Sequence, residues 1–203
     1  MSNATAPEMA RKVLHIDSSC RTTGSASREV SAALVSKFNA AGHTVVRRDL
    51  LVTPPSVVDD VWITANFSPP DTRSAEQVAK LEESTILVNE IQSCDVVVIG
   101  APVYNFGIPG VLKLWIDMVA RVGLTFKYTA TGPQGLCEGK KAFVVFSSGG
   151  TSMGAPNDWN SPYLKYILGF MGIDDVTFID AGASMKDPES KQKALKQVEE
   201  IEV

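Results

Sequence analysis

Three short segments concentrate the residue types that can hold a small molecule. The first, Ser18-Ser19-Cys20-Arg21-Thr22-Thr23-Gly24-Ser25-Ala26-Ser27, crowds hydroxyls just ahead of a helical pattern. Free backbone N–H groups at a helix start favour an anion and hydroxyls add donors, so phosphate is the natural ligand. The second, Ala101 to Ile108, carries Val103-Tyr104-Asn105-Phe106, an aromatic wall with an amide beside it that suits a flat heterocycle. The third, Ser147-Ser148-Gly149-Gly150-Thr151, has paired glycines that let backbone N–H groups approach a ligand closely. Each has a plainer alternative: Ser25 or Ser27 capping a helix, Tyr104 and Phe106 packing under a turn, Gly149-Gly150 forming a flexible turn. The functional reading rests on the three occurring together.

The surrounding pattern says which elements must position them. Val96-Val97-Val98-Ile99 is an apolar, mostly β-branched run without alternation, as expected of a strand buried on both faces. It stops at Gly100, and Pro102 blocks its continuation, making Ala101 to Ile108 a loop at a strand's carboxyl end. Pro109 then opens a helix whose apolar positions are Val111, Leu112, Trp115, Ile116 and Val119. Further strands are expected at Val13 to Asp17, Thr44 to Leu50, Ala142 to Phe146 and Asp175 to Asp180. Helices fall after Ser25 (Val30, Ala33, Leu34, Phe38, Ala41; stop at Gly42), from Thr72 or Ser74 to about Ser93 (Val78, Leu81, Ile86, Ile91), from Pro162 to Met171 and from Pro188 to Glu202. Between them, Leu51 to Asp71 reads as a long loop containing Pro54, Pro55, Pro69 and Pro70.

Strands alternating with helices imply a parallel sheet covered on both faces, a three-layer α/β sandwich. Five strands favour the flavodoxin-like order 2-1-3-4-5. Strands 1, 3 and 4 are then neighbours and their following loops converge on one crevice. Phosphate donors, an aromatic-amide wall and close N–H groups together suit flavin mononucleotide (FMN).

Composition sets the bounds. A chain of 203 residues is expected to be one domain. Residues 1–10 read as a disordered terminal segment or tag remnant, and 11–203 as a single FMN-binding domain. Met1 to Met9 has no apolar core and so does not read as a secretory signal. A net charge of -4 gives no attraction to nucleic acid or anionic membrane, and no apolar run is long enough to cross a bilayer. Three cysteines without Cys-x-x-Cys spacing fit a reducing cytoplasm, and with only two histidines a metal centre is not expected. His15 is expected in the core and His43 at the surface. Asn66-Phe67-Ser68 matches a glycosylation sequon by chance. No Gly-x-Gly-x-x-Gly follows the first strand, and Gly135 to Lys141, one residue short of a Walker loop and ahead of a strand, reads as a turn.

Ser18-Ser19, Ser25-Ala26-Ser27, Ala101-Pro102-Val103-Tyr104-Asn105-Phe106 and Ser147-Ser148-Gly149-Gly150 resemble the FMN-dependent NADH:quinone oxidoreductases and azoreductases. Gly123-Leu124-Thr125-Phe126, Ser161-Pro162-Tyr163-Leu164 and Leu168-Gly169-Phe170 extend the likeness over about residues 12 to 182. The resemblance implies a homodimer with one FMN per subunit near the interface. It assigns Ser19, Ser25, Ala26 and Ser27 to the phosphate, Val103, Tyr104, Asn105 and Phe106 to the ring, and Ser147, Ser148, Gly149 and Gly150 to its pyrimidine edge. Asn105 is expected to make polar contact with the reactive edge. Two positions depart from the family: Met is common where Val103 stands, and Arg where Ser148 stands. The implied reaction is ping-pong: NADH or NADPH reduces the flavin, and a quinone or azo compound then takes two electrons. No acid–base dyad is required of the protein, because the flavin carries the chemistry. The alternative is a flavodoxin-like electron carrier that serves a protein partner.

Overall fold

The computed structural model describes residues 10–203. Apart from Ala10, the expectation for residues 1–10 falls outside the described residues. Five parallel strands form the central sheet: β1 (Lys12–Asp17), β2 (Thr44–Asp49), β3 (Val96–Pro102), β6 (Lys141–Ser147) and β7 (Asp175–Ala181). Their order is β2-β1-β3-β6-β7, the expected 2-1-3-4-5 arrangement. A separate two-stranded hairpin, β4 (Phe126–Thr129) with β5 (Gly132–Gly135), was not expected from the sequence. The helices are α1 (Ala26–Ala40), α2 (Asp60–Phe67), α3 (Ala75–Ser93), α4 (Gly110–Val119), α5 (Ser161–Phe170) and α6 (Ser190–Glu200).

The uniform apolarity of β3 has a direct cause. Val97 and Ile99 enter the core against α2 to α5, with Trp62, Leu87, Leu112, Trp115 and Leu164. Val96 and Val98 enter the opposite core with Val30, Leu34 and Phe38 of α1 and Val198 of α6. Neither face meets water, so neither needs polar residues. Each fully buried valine or isoleucine contributes about 1.5–3 kcal/mol relative to exposure.

Several expectations need correction. The strand does not stop at Gly100: β3 pairs with β6 as far as Pro102↔Ser147, and the Val103 N–H donates to the Ser147 carbonyl at 2.8 Å. Pro102 is tolerated because alternate N–H groups point to opposite neighbours. The missing donor would face β1, whose pairing with β3 has already ended at Asp17↔Gly100.

Leu51 to Asp71 is not one long loop. Asp59 caps α2 by accepting from the Trp62 N–H at 2.9 Å, and Pro70–Thr72 forms a 3-10 turn. Trp62 is only 4% exposed, so this segment is packed down within its own chain. Asn66 is buried, and its amide oxygen accepts from Arg121 Nε at 2.8 Å, which takes the sequon out of solvent. Arg121 Nη1 also donates to Ser84 Oγ at 2.7 Å, and the guanidinium carbon lies 5.7 Å from the Trp62 ring centroid. It has no carboxylate partner among the described residues; burial, with Arg73 nearby, pulls its pKa down to about 10.

On α3 the buried face is Leu81, Ser84, Leu87, Val88 and Ile91, while Val78 and Ile86 are exposed. A serine sits in the apolar stripe because its hydroxyl donates to the Met118 carbonyl at 2.6 Å as well as accepting from Arg121. Ala41, expected on the core face of α1, is exposed. His15 is buried as expected. His43 is buried too, against expectation: its Nδ1 accepts from the Arg11 N–H at 3.0 Å and its ring lies 5.6 Å from that of Phe38. Gly135 closes β5, and the residues after it form the connection to β6. A Cβ at Gly135 would lie 2.1 Å from the Gly172 nitrogen, so only glycine permits that approach.

Candidate active site

Parallel register brings Asp17, Pro102, Ser147 and Ala181 to one edge of the sheet, each as the last residue of its strand. The loops that follow enclose a cavity of about 330 Å³ lined by Ser19, Arg21, Gly24, Ser25, Ala26, Pro102, Val103, Tyr104, Ser147, Ser148, Gly149, Ala181 and Ser184. Eight of the residues expected from the sequence therefore meet around one space. Ser27, Asn105, Phe106 and Gly150 lie outside the lining. Ser27 is fully buried, with its hydroxyl 3.2 Å from Ser25 Oγ. Asn105, Phe106 and Gly150 are exposed beside the cavity.

At one end, hydroxyls converge on the start of α1. Ser25 Oγ donates to Ser19 Oγ at 2.9 Å and accepts from the Arg28 N–H at 3.5 Å. The capping bond is real but long, and the same residue also lines the cavity. Behind it, Arg28 fixes the loop. Its guanidinium donates to Asp49 at 2.7 and 2.8 Å and to the Ser19 carbonyl at 2.8 Å. The hydrogen-bonded Arg28 holds the Asp49 carboxyl below its ordinary range, and Asp49 in turn raises Arg28.

Tyr104 joins two of the loops: its hydroxyl accepts from the Cys20 N–H at 3.1 Å and lies 3.2 Å from Ser19 Oγ. Packing under a turn does not describe it. The turn beyond is closed by mutual Tyr104 and Gly107 backbone bonds of 2.9 and 3.1 Å. At its tip Asn105 and Phe106 have φ of 49° and 70°. Such positions cost of order 1–3 kcal/mol each; asparagine accepts this conformation readily, phenylalanine does not. The backbone N–H of Trp159, donating to the Phe106 carbonyl at 3.3 Å, helps hold the turn.

The third loop is tied to the chain after β7. Ser184 and Met185 N–H groups donate to the Ser148 and Gly149 carbonyls at 3.0 and 2.9 Å. Buried Asn160 donates to the Pro102 carbonyl at 3.3 Å and so braces the end of β3. Asp158 anchors that region by accepting from the Gly154, Asn160 and Ser161 N–H groups at 2.9–3.0 Å and from the Ser161 hydroxyl. Burial raises the Asp158 carboxyl, but these bonds outweigh it and hold the group below its ordinary range.

Arg21, Gly24, Pro102, Ala181 and Ser184 were not singled out from the sequence. The first three lie within or beside the loops that were. Ala181 and Ser184 had one available signal, the adjacency of the last two strands, which brings the final strand's loop to the same edge.

The donor set fits FMN. Hydroxyls and a helix start serve a phosphate, and a ring can lie along Val103 and Tyr104 with the third loop at its edge. Fold and site define a flavodoxin-like protein, and the family model for the flavodoxin-like fold matches residues 11–201. An FMN-dependent NADH:quinone oxidoreductase from Jannaschia sp. is 46% identical over 93% of this chain and 97% of its own length. One from Colwellia psychrerythraea is 44% identical over 93% and 99%. Among solved structures, an FMN-dependent NADH-azoreductase from Bacillus anthracis in complex with FMN has a TM-score of 0.83 at 26% identity, covering 94% of this chain and 96% of that one. The chain belongs to the family of FMN-dependent NADH:quinone oxidoreductases and azoreductases.

Proposed function

We propose that this protein transfers two electrons from NADH or NADPH to quinones and azo compounds through FMN held in the cavity described above. The observation that carries the reading is the convergence of three separate loops on a single hydroxyl-lined space, with Tyr104 bonded across two of them. Ser19, Ser25 and Ala26, at the start of α1, would hold the phosphate. Val103 and Tyr104 would line the ring, and Ser147, Ser148 and Gly149 its pyrimidine edge. Ser27, one residue inside the helix, supports Ser25 from behind. Asn105, Phe106 and Gly150 stand at the rim, where they can meet the nicotinamide donor or the acceptor. When bound, the flavin accepts hydride and passes on electrons. The residues of the chain would bind and orient it.

One flavin face cannot hold both reactants at once, so we expect ping-pong order, the donor leaving before the acceptor binds. Apart from Tyr104, the lining holds no histidine, carboxylate, lysine or cysteine, and the chemistry would be carried by the cofactor. The family resemblance supports a homodimer, and Phe67, 64% exposed at the end of α2, leaves an aromatic side chain for its interface. Three free cysteines, two of them buried, support a reducing compartment.

The test is steady-state oxidation of NADH and NADPH by a soluble benzoquinone, without any protein partner. Parallel double-reciprocal lines are expected. Turnover that needs an added reductase would make the protein an electron carrier instead.

A further inference from the structure

The cavity contains one formal charge. A phosphate monoester carries about -1.5 to -2 at neutral pH, yet the proposed phosphate end offers mainly neutral donors. No aspartate or glutamate lines the cavity, and its only cation is Arg21. Ser148, in the third loop, is neutral, so the lining has no second positive charge.

Arg28 and Arg47, the other arginines near this loop, are already engaged, Arg47 with Asp17 and Asp49, and Arg28 more extensively. Arg28 pairs with Asp49 through two bonds, donates to the Ser19 carbonyl and lies 3.4 Å from Asp17. Arg21 is its opposite. Its backbone N–H is pinned to Ser19 Oγ at 3.2 Å, which fixes where the side chain departs. Its guanidinium forms no ion pair or hydrogen bond among the described residues, and the residue is exposed. Gly24, at φ 64°, turns the chain back so that Arg21 and Ser25 border the same space.

We infer that Arg21 is the cation that recognises the flavin's phosphate, and that it makes this site select the phosphorylated flavin over the unphosphorylated one. The inference rests on the flavin reading above. A planar guanidinium with several donors matches a phosphate better than a point charge does, and its charge-assisted bonds are the strong kind. Its energy acts on the phosphate alone and leaves ring contacts untouched, so its signature is a ratio between two ligands.

The experiment measures affinities of the flavin-free protein for FMN and for riboflavin by quenching of flavin fluorescence, at low and high salt, in wild type, Arg21→Gln and Arg21→Lys. Arg21→Gln should weaken FMN roughly tenfold or more while riboflavin stays within about twofold. Arg21→Lys should recover most of the FMN affinity at low salt and lose it at high salt. Equal weakening of both ligands would reduce Arg21 to loop packing, and no change in either would remove it from the site; both outcomes overturn the inference. Should Arg21→Gln fail to fold, Arg21→Lys supplies the same test, because a salt sensitivity of FMN binding equal to that of wild type would refute the assignment. A wild-type chain that binds neither flavin defeats the flavin reading itself.

Discussion

Replacing Ser25 with alanine separates two roles that one hydroxyl performs. As a helix cap it accepts from the Arg28 N–H, but at 3.5 Å that bond is weak, so the capping loss belongs at the low end of about 0.5–2 kcal/mol. Its other bonds, to Ser19 Oγ at 2.9 Å and to Ser27 Oγ at 3.2 Å, are worth about 1 kcal/mol each. Ser19 is not orphaned by the change, because Tyr104 Oη and the Arg21 N–H remain 3.2 Å away, but the fully buried Ser27 hydroxyl loses its partner. The fold should therefore lose about 2.5–3.5 kcal/mol, a fall of roughly 5–14 °C in Tm for a domain of this size. A bond to phosphate is charge-assisted and worth about 1.5–3 kcal/mol, or roughly ten- to a hundredfold in FMN affinity. Thermal melting of the flavin-free variant gives the first quantity and fluorescence titration with FMN the second. A melting temperature lowered as expected, with FMN affinity within twofold of wild type, would return Ser25 to the status of a helix cap.

Asn105 should act on turnover more than on occupancy. Because its φ is positive, Asn105→Ala mixes loss of the amide with backbone strain, whereas Asn105→Gly removes the amide alone; the glycine variant should keep FMN affinity within about threefold and lower kcat with benzoquinone by more than that. An unchanged kcat would place the amide outside the reaction. Stability should also respond to acid through Asp49. Its carboxyl lies below the ordinary range in the folded chain, so its contribution is complete above that range and disappears as pH falls through the folded value. The Tm gap between wild type and Asp49→Asn should accordingly narrow from pH 6 to pH 3, and a constant gap would deny the linkage.

How much the sequence disclosed followed the physics of each part. Val96 to Ile99 announced a central strand because both faces are buried, and the sheet order followed from strand count and alternation. Ser19, Ser25, Val103, Tyr104 and Ser147 to Gly149 were legible as strand-end loops whose composition suits a ligand. The helix Asp60–Phe67 was not, because four prolines bracket it and its buried side combines Trp62 with the polar Asn66. Ser84 hid the inward face of α3 in the same way, since its partners, Arg121 and the Met118 carbonyl, lie far along the chain. Ser27 and Phe106 carry the right residue types in the right loops. Which side of the loop each one occupies depends on φ values and on contacts with Trp159 or Ser25 that composition does not record.

Arg121 restricts how this protein can diversify. Among the described residues its charge is sheltered only by a neutral amide from α2, a hydroxyl from α3 and the Trp62 ring. Shortening or exchanging α2 would strip away two of those three and strand a cation in the interior, where an unpartnered charge is strongly unfavourable. The helix is therefore inherited together with the arginine, as one unit. Length changes in this part of the chain are confined to the stretches on either side of it, residues 51–58 and 68–73. An engineer grafting a new acceptor-binding segment onto this scaffold would have to keep Trp62 and Asn66, or first replace Arg121 with an apolar side chain of similar length.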